Sequence, residues 1–323
     1  YLRVLYHRRK RVRGALGTAC ECFRESVARD PDYADAHAAL AFAYALGGWW
    51  LYDVFPPRHA YPIARAAASR ALDLDDRLPE AHLARAYTRQ AFDWDGPAAA
   101  VAFDRALALD PDDQDVLGNY AGHLVLQGRL DEALEITRKA ERLDPGWIMP
   151  PTALGLWLLS ARRFDEAMSE LRRAADLEPG FFMPALFLGD CLRFTGRPEA
   201  ASEQYDRAME RAGREPMVLG RMASAWAERG DRQRARGLIE ELEGLGAHRH
   251  VLPSIIARVW ASMGDMDRAF QWLDRAVEER DTTLVILPQW AGYDPIRGDP
   301  RYPGLLDRVR LWPPGSDGVT YGR

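Results

Sequence analysis

Residues 113–145 read DQDVLGNYAGHLVLQGRLDEALEITRKAERLDP. Leu117, Tyr120, Ala121 and Leu124 recur at the spacing of one helix face. Gly128-Arg129 then interrupts the pattern. Asp131 and Glu132 follow, acids placed where the positive end of a helix dipole favours them. Ala133, Ile136 or Thr137, and Ala140 give that second helix its buried side, and Pro145 ends it. Two helices joined by a tight glycine turn make a helical hairpin.

The same punctuation occurs along the chain. Asp30-Pro31, Asp110-Pro111, Asp144-Pro145 and Glu178-Pro179 each close an apolar, alanine-containing run, and the last three prolines are 34 residues apart. Residues 71–76 (ALDLDD) carry the signal without its proline. The hairpin frame refits in phase: Leu154, Gly155, Leu158, Ala167, Leu171 and Ala174 in 147–179; Leu188, Gly189, Leu192, Gly196, Ala201, Tyr205 and Ala208 in 181–213. It continues as Met222, Ala223, Trp226, Gly230, Ala235 and Ile239 in 215–248, then Ile256, Ala257, Trp260, Gly264, Ala269, Leu273 and Ala276 in 249–281. A small residue midway along each first helix lets the second helix cross closely, and large residues fill the remaining gap.

Composition agrees. Alanine occurs 49 times and leucine 38, against 14 valines and 8 isoleucines, a balance that favours helices over sheets. No apolar run reaches 18 residues, so no membrane span is expected. A net charge of −5 gives no general attraction to nucleic acid or acidic lipid. Lys10 and Lys139 are the only lysines and Asn119 the only asparagine, a bias expected of a GC-rich genome rather than of RNA binding. The basic run from His7 to Arg13 reads as a solvated helix face. Cys20 and Cys22 point to different helix faces and cannot easily bridge; with Cys191 they suggest a reducing, cytoplasmic setting. The chain begins at Tyr1 with no signal peptide, and we expect it to be a piece of a longer protein.

The five units in phase resemble the tetratricopeptide repeat (TPR) family, over roughly residues 1–281. That resemblance implies an all-α, right-handed superhelical solenoid of helix-turn-helix hairpins. About eight hairpins are expected in 1–281. The first, 1–31, falls short at the start of its first helix. The second, 32–76, carries an aromatic insertion at 47–58, and the third replaces the glycine turn with Asp93-Trp94-Asp95-Gly96. Residues 282–323 then form a capping segment, with Leu305, Leu306 and Val309 on the last hairpin near Trp272 and Ala276. The aromatic insertion, the Asp-Trp-Asp turn and the Asp-Pro tail also resemble the C-terminal repeat region of bacterial regulators. Those carry an N-terminal winged-helix, cyclase, TolB-like or kinase output domain.

No catalytic, cofactor-binding or metal-binding pattern is found. There is no phosphate-binding glycine loop, no His-Glu-x-x-His, no Cys-x-x-Cys and no Gly-x-Ser-x-Gly. His37, His59, His82 and His123 read as surface or groove side chains, and Trp49, Trp50, Tyr52 and Phe55 as a loop that folds back more readily than it binds. The resemblance places partner contacts on the concave groove. Carried onto this chain, the expected anchors are Leu156, Leu159, Met183, Leu186 and Phe194, with Asp190 and Arg193 setting register at the rim. The paired asparagines and lysines that grip acidic chaperone tails are missing. The expected work is therefore non-catalytic: a scaffold for a protein or peptide in the groove, or for the chain's own missing N-terminal domain. The alternative, a nucleic-acid-binding helical repeat, needs a basic stripe that the inner positions do not supply.

Overall fold

The computed structural model describes residues 13–312. The basic run from His7 to Arg13 lies almost entirely outside them, as does the start of the first hairpin. Among the described residues every regular element is helical. They divide into two compact units. One comprises 13–123 with 277–285 and 309–312; the other comprises 124–276 with 286–308.

The first unit contains α1 (Arg13–Arg29), α2 (Ala34–Gly47), α3 (Pro57–Leu74), α4 (Pro79–Tyr87), α5 (Gly96–Leu109) and most of α6 (Gln114–Leu126). Helix α2 packs against α1, α3 and α4, and α4 against α5. Ala38, Ala71 and Ala81 form a small cluster where α2, α3 and α4 meet, flanked by Leu72 and Leu78. Alanine is abundant because it permits this close approach. A π-helical turn, Thr88–Asp93, extends α4. The insertion between α2 and α3 folds back. The amides of Val54 and Phe55 both donate to the Gly47 carbonyl, and Phe55 stacks on Tyr44 at 5.1 Å. Trp50 and Tyr52 are buried and Trp49 meets Tyr87 edge-on, so the loop's aromatics are packing groups. His123, expected at the surface or in the groove, is buried; its Nδ1 lies 2.7 Å from Gln90 Oε1 and its ring beside Phe103 and Trp312.

The second unit contains α7 (Leu130–Leu143), α8 (Met149–Ser160), α9 (Phe164–Leu177), α10 (Met183–Phe194), α11 (Pro198–Ala212), α12 (Pro216–Glu228), α13 (Arg232–Gly246), α14 (Pro253–Ser262), α15 (Met266–Glu279) and α16 (Tyr302–Arg308). Successive helices pair as α8 with α9, α10 with α11 and α12 with α13, while the first helices α8, α10, α12 and α14 also touch along the stack. The glycines anticipated at the crossings serve as expected: a Cβ on Gly155 would come within 2.4 Å of Leu171, and one on Gly189 within 2.4 Å of Tyr205. Helix α16 lies along α15. Arg301 reaches Asp267 and covers the Phe270 ring, Arg308 pairs with Asp274, and Leu305 is buried. Residues 267, 270 and 274 share one face of α15; Trp272, named as a neighbour from the sequence, points elsewhere and stacks under Arg275.

A single backbone feature marks the period. Left-handed residues occur at 94, 128, 162, 196, 230 and 264, once every 34 positions, at the end of each first helix. Four are glycines; Trp94 and Arg162 adopt the same conformation with a side chain attached, at φ 59° and 61°. Acidic residues hold the turns. Asp95 and Asp231 accept the Ala98 and Arg234 amides as N-caps, and Asp110 and Asp144 accept amides two residues on. Their carboxylates are structural.

Candidate partner-binding face

The inner face of the second unit is built by α8, α10, α12 and α14. Each first helix buries nearly its whole circumference: one side meets its own second helix, the other meets neighbouring first helices. The expected anchors follow this rule. Leu156, Leu159, Met183 and Leu186 are buried, Leu186 completely, so they belong to the packed interior. Phe194 keeps intermediate exposure. Asp190 and Arg193, expected at a rim, are also buried. Asp190 accepts the Tyr205 hydroxyl at 2.8 Å and Arg221 Nε at 2.7 Å. Arg193 Nη1 donates to Glu228 at 2.8 Å. Burial, and then the Asp190 charge, push the Tyr205 hydroxyl well above its ordinary pKa, so it donates throughout the physiological range.

Part of this burial comes from a segment that the hairpin frame does not contain. Residues 286–296 return along the inner face in short turns. The Trp290 ring meets Phe194 edge-on at 6.3 Å and lies 5.9 Å from the Arg221 guanidinium. Tyr293 sits 5.8 Å from the Arg258 guanidinium. Asp294 receives both Nη atoms of Arg162, at 2.8 and 2.6 Å. Gln289 Nε2 donates to the Leu126 carbonyl at 3.2 Å, a group that the end of α6 leaves without an intrahelical partner. Leu287, Trp290, Tyr293 and Ile296 are all buried. Sequence reasoning treated these residues as a terminal cap and missed their return. The available signal was the density of large apolar residues, Leu284 to Tyr293, which is too high for a solvated linker and too short for another hairpin.

Among the described residues no group of three or more His, Cys, Asp or Glu side chains could hold a metal ion, and no helix is long and apolar enough to cross a membrane. Two histidines have structural partners instead: the His37 ring meets the Pro31 carbonyl at 3.0 Å, and the His82 ring the Asp76 carbonyl at 2.9 Å.

A family model of the tetratricopeptide repeat matches residues 95–148 and 158–225. No curated protein matches the chain in sequence. Among solved structures, the chain resembles PilW, described as a widely conserved type IV pilus biogenesis factor. The two share 20% identity over 67% of this chain and 95% of PilW, with a TM-score of 0.52. Yeast Tom70 is similar at 19% identity, covering 92% of this chain and 62% of Tom70, with a TM-score of 0.55. The human IFIT1 dimer with PPP-AAAA is similar at 18% identity over 82% and 68%, with a TM-score of 0.56. At these identities the likeness concerns the fold.

Proposed function

The chain is a tetratricopeptide-repeat protein, and we propose that it acts as a non-catalytic interaction module, the cytoplasmic partner-binding arm of a larger bacterial regulator. The observation that carries this reading is the return segment. Residues 286–296 lie on the inner face of the second unit as a peptide would: aromatic anchors at Trp290 and Tyr293, a bidentate ion pair at Asp294, and a side-chain amide on a free carbonyl. A face that holds one turn-rich segment in this way has the chemistry to hold another. The regulator assignment is supported by the aromatic insertion, the Asp-Trp-Asp turn and the Asp-Pro tail. The three cysteines, all free thiols, suit a reducing compartment.

Among the anchors proposed from sequence, Phe194 is the one that combines partial exposure with a contact to Trp290. Replacing Phe194 by a photo-crosslinkable phenylalanine in the full-length protein, inside its host, tests the reading. The expected product is a crosslink to a second protein or to an upstream domain. Crosslinks confined to the peptide containing Trp290 would mean that the face is only a packing surface.

A further inference from the structure

Arg193, Arg221 and Arg258 come from three successive inner helices, and all three are buried. Their partners are unequal. Arg221 donates Nε to Asp190 and Nη1 to the Met217 carbonyl at 3.1 Å. Arg193 has Glu228, but its Nε has no acceptor. Arg258 is 9% exposed, pairs with no carboxylate among the described residues, and has no acceptor for its Nε. Three guanidinium groups therefore face two carboxylates, Asp190 and Glu228. The Tyr293 ring is the nearest compensation for Arg258, at the outer limit of a cation–π contact. A buried guanidinium without a counter-ion costs more than such a ring returns. Burial pushes the Arg258 pKa below its ordinary value; the Arg221 and Arg193 charges press the same way, against the Tyr293 and Asp190 contributions.

We propose that Arg258, flanked by Arg193 and Arg221, is the binding site for a carboxylate that enters beneath the return segment. The deficit is one negative charge, which a carboxylate supplies and a phosphate dianion would overshoot. The guanidinium fork matches the planar carboxylate, and Phe187, Phe194, Trp290 and Tyr293 nearby suit an acid joined to an apolar or aromatic group. The site is covered but not locked. Gly292 lies over it, where a Cβ would stand 3.5 Å from Arg258 Cδ, and the segment above is built of short turns. The source of the carboxylate is either a partner's acidic side chain, which rests on the interaction-module reading, or a free small acid, which does not.

Thermal melts of the whole chain at constant ionic strength test the site. The probes are sodium acetate, sodium succinate, inorganic phosphate, and a synthetic peptide alternating tyrosine and glutamate, with sodium chloride as the screening control. A saturable rise in melting temperature is expected with carboxylates and not with chloride, because a ligand bound only by the folded state stabilises it. Arg258→Met should melt at or above the wild-type temperature without ligand and lose the response; Arg258→Lys should keep a weaker one. A response to the peptide alone assigns the carboxylate to a protein partner, and a response to acetate or succinate alone assigns it to a small acid. The proposal is overturned if no carboxylate acts, if phosphate acts more strongly, or if Arg258→Met and Arg258→Lys both retain the full response. Loss of the Phe194 crosslink with the acetate response intact would remove the interaction-module reading and leave the site standing.

Discussion

Adding a single methyl group at Gly189 tests the packing of the repeat most directly. The new Cβ would stand 2.4 Å from Tyr205 Cε1 and 2.6 Å from Cδ1, where carbon atoms at rest lie about 3.5–4.0 Å apart. The ring must therefore retreat by about 1 Å. It has nowhere to go: Tyr205 is fully buried, and its hydroxyl is tied to Asp190, which is itself tied to Arg221. Overpacking of this kind costs about 1–3 kcal/mol. A hydrogen bond to a charged group, if broken, adds about 1.5–3 kcal/mol. Against this, alanine is better than glycine in a helix by about 1 kcal/mol. The net expectation for Gly189→Ala, with the hydrogen bond broken, is a loss of about 1.5–5 kcal/mol. Gly237→Ala is the control. It lies exposed in α13 with nothing within 4 Å of its added Cβ, so only the propensity gain of up to about 1 kcal/mol remains. Urea unfolding of the two variants beside the wild type gives the comparison. A Gly189→Ala variant as stable as Gly237→Ala would refute the close-crossing argument.

Other outcomes follow from the same geometry. In the native protein at pH 8, one of the three thiols should react readily with Ellman's reagent. Cys22 is exposed, whereas burial pushes Cys20 and Cys191 up to about 12; fast labelling of two or three would contradict this. Burial depresses the His82 pKa below the ordinary histidine value of 6.5, so the unfolded chain binds the proton more readily. This contribution to stability is present above pH 6.5 and is lost as the pH falls below it; an NMR titration placing His82 at or above 6.5 would reverse the sign. Arg162→Gly should be nearly neutral, because relief of a left-handed residue, about 1–2 kcal/mol, offsets loss of an exposed ion pair worth about 0–1 kcal/mol. A loss beyond about 2 kcal/mol on calorimetry would show that the Asp294 contact carries more than an exposed pair should.

Most of the hairpin architecture was legible because each signal is local. A glycine opposite Leu171 or Tyr205, a left-handed turn every 34 residues and an acid at the following helix start are all readable within one repeat. Arg162 shows the limit of that reading. It occupies a turn position that glycine fills in four other repeats, and its conformation follows from the register rather than from its identity. The inner face was less legible for a different reason. Positions such as Leu186 and Asp190 were sorted by repeat geometry alone, which says nothing about distant chain segments. Asp190 is buried because Tyr205 and Arg221 converge on it, and Phe194 is half-covered because Trp290 returns to it. The Phe194–Trp290 contact spans 96 residues and has no signature in a 34-residue window, and the Asp190–Arg221 pair joins two different repeats 31 residues apart.

The first unit also depends on remote sequence, and this bears on how the chain is made. Thr282 donates to the Gly48 carbonyl, the guanidinium of Arg58 to the Glu278 carbonyl, and the Gly96 amide to the Leu311 carbonyl. Repeat arrays ordinarily gain stability from nearest neighbours, so each hairpin can settle soon after it leaves the ribosome. Here the second and third hairpins wait for residues synthesised more than 200 positions later. At about 5–20 residues per second that delay lasts roughly 10–40 seconds. During it the Gly48 carbonyl awaits the Thr282 hydroxyl. The first unit is thus begun well before the segments that complete it are made, and pulse-labelled nascent chains are expected to be more protease-sensitive there than finished protein.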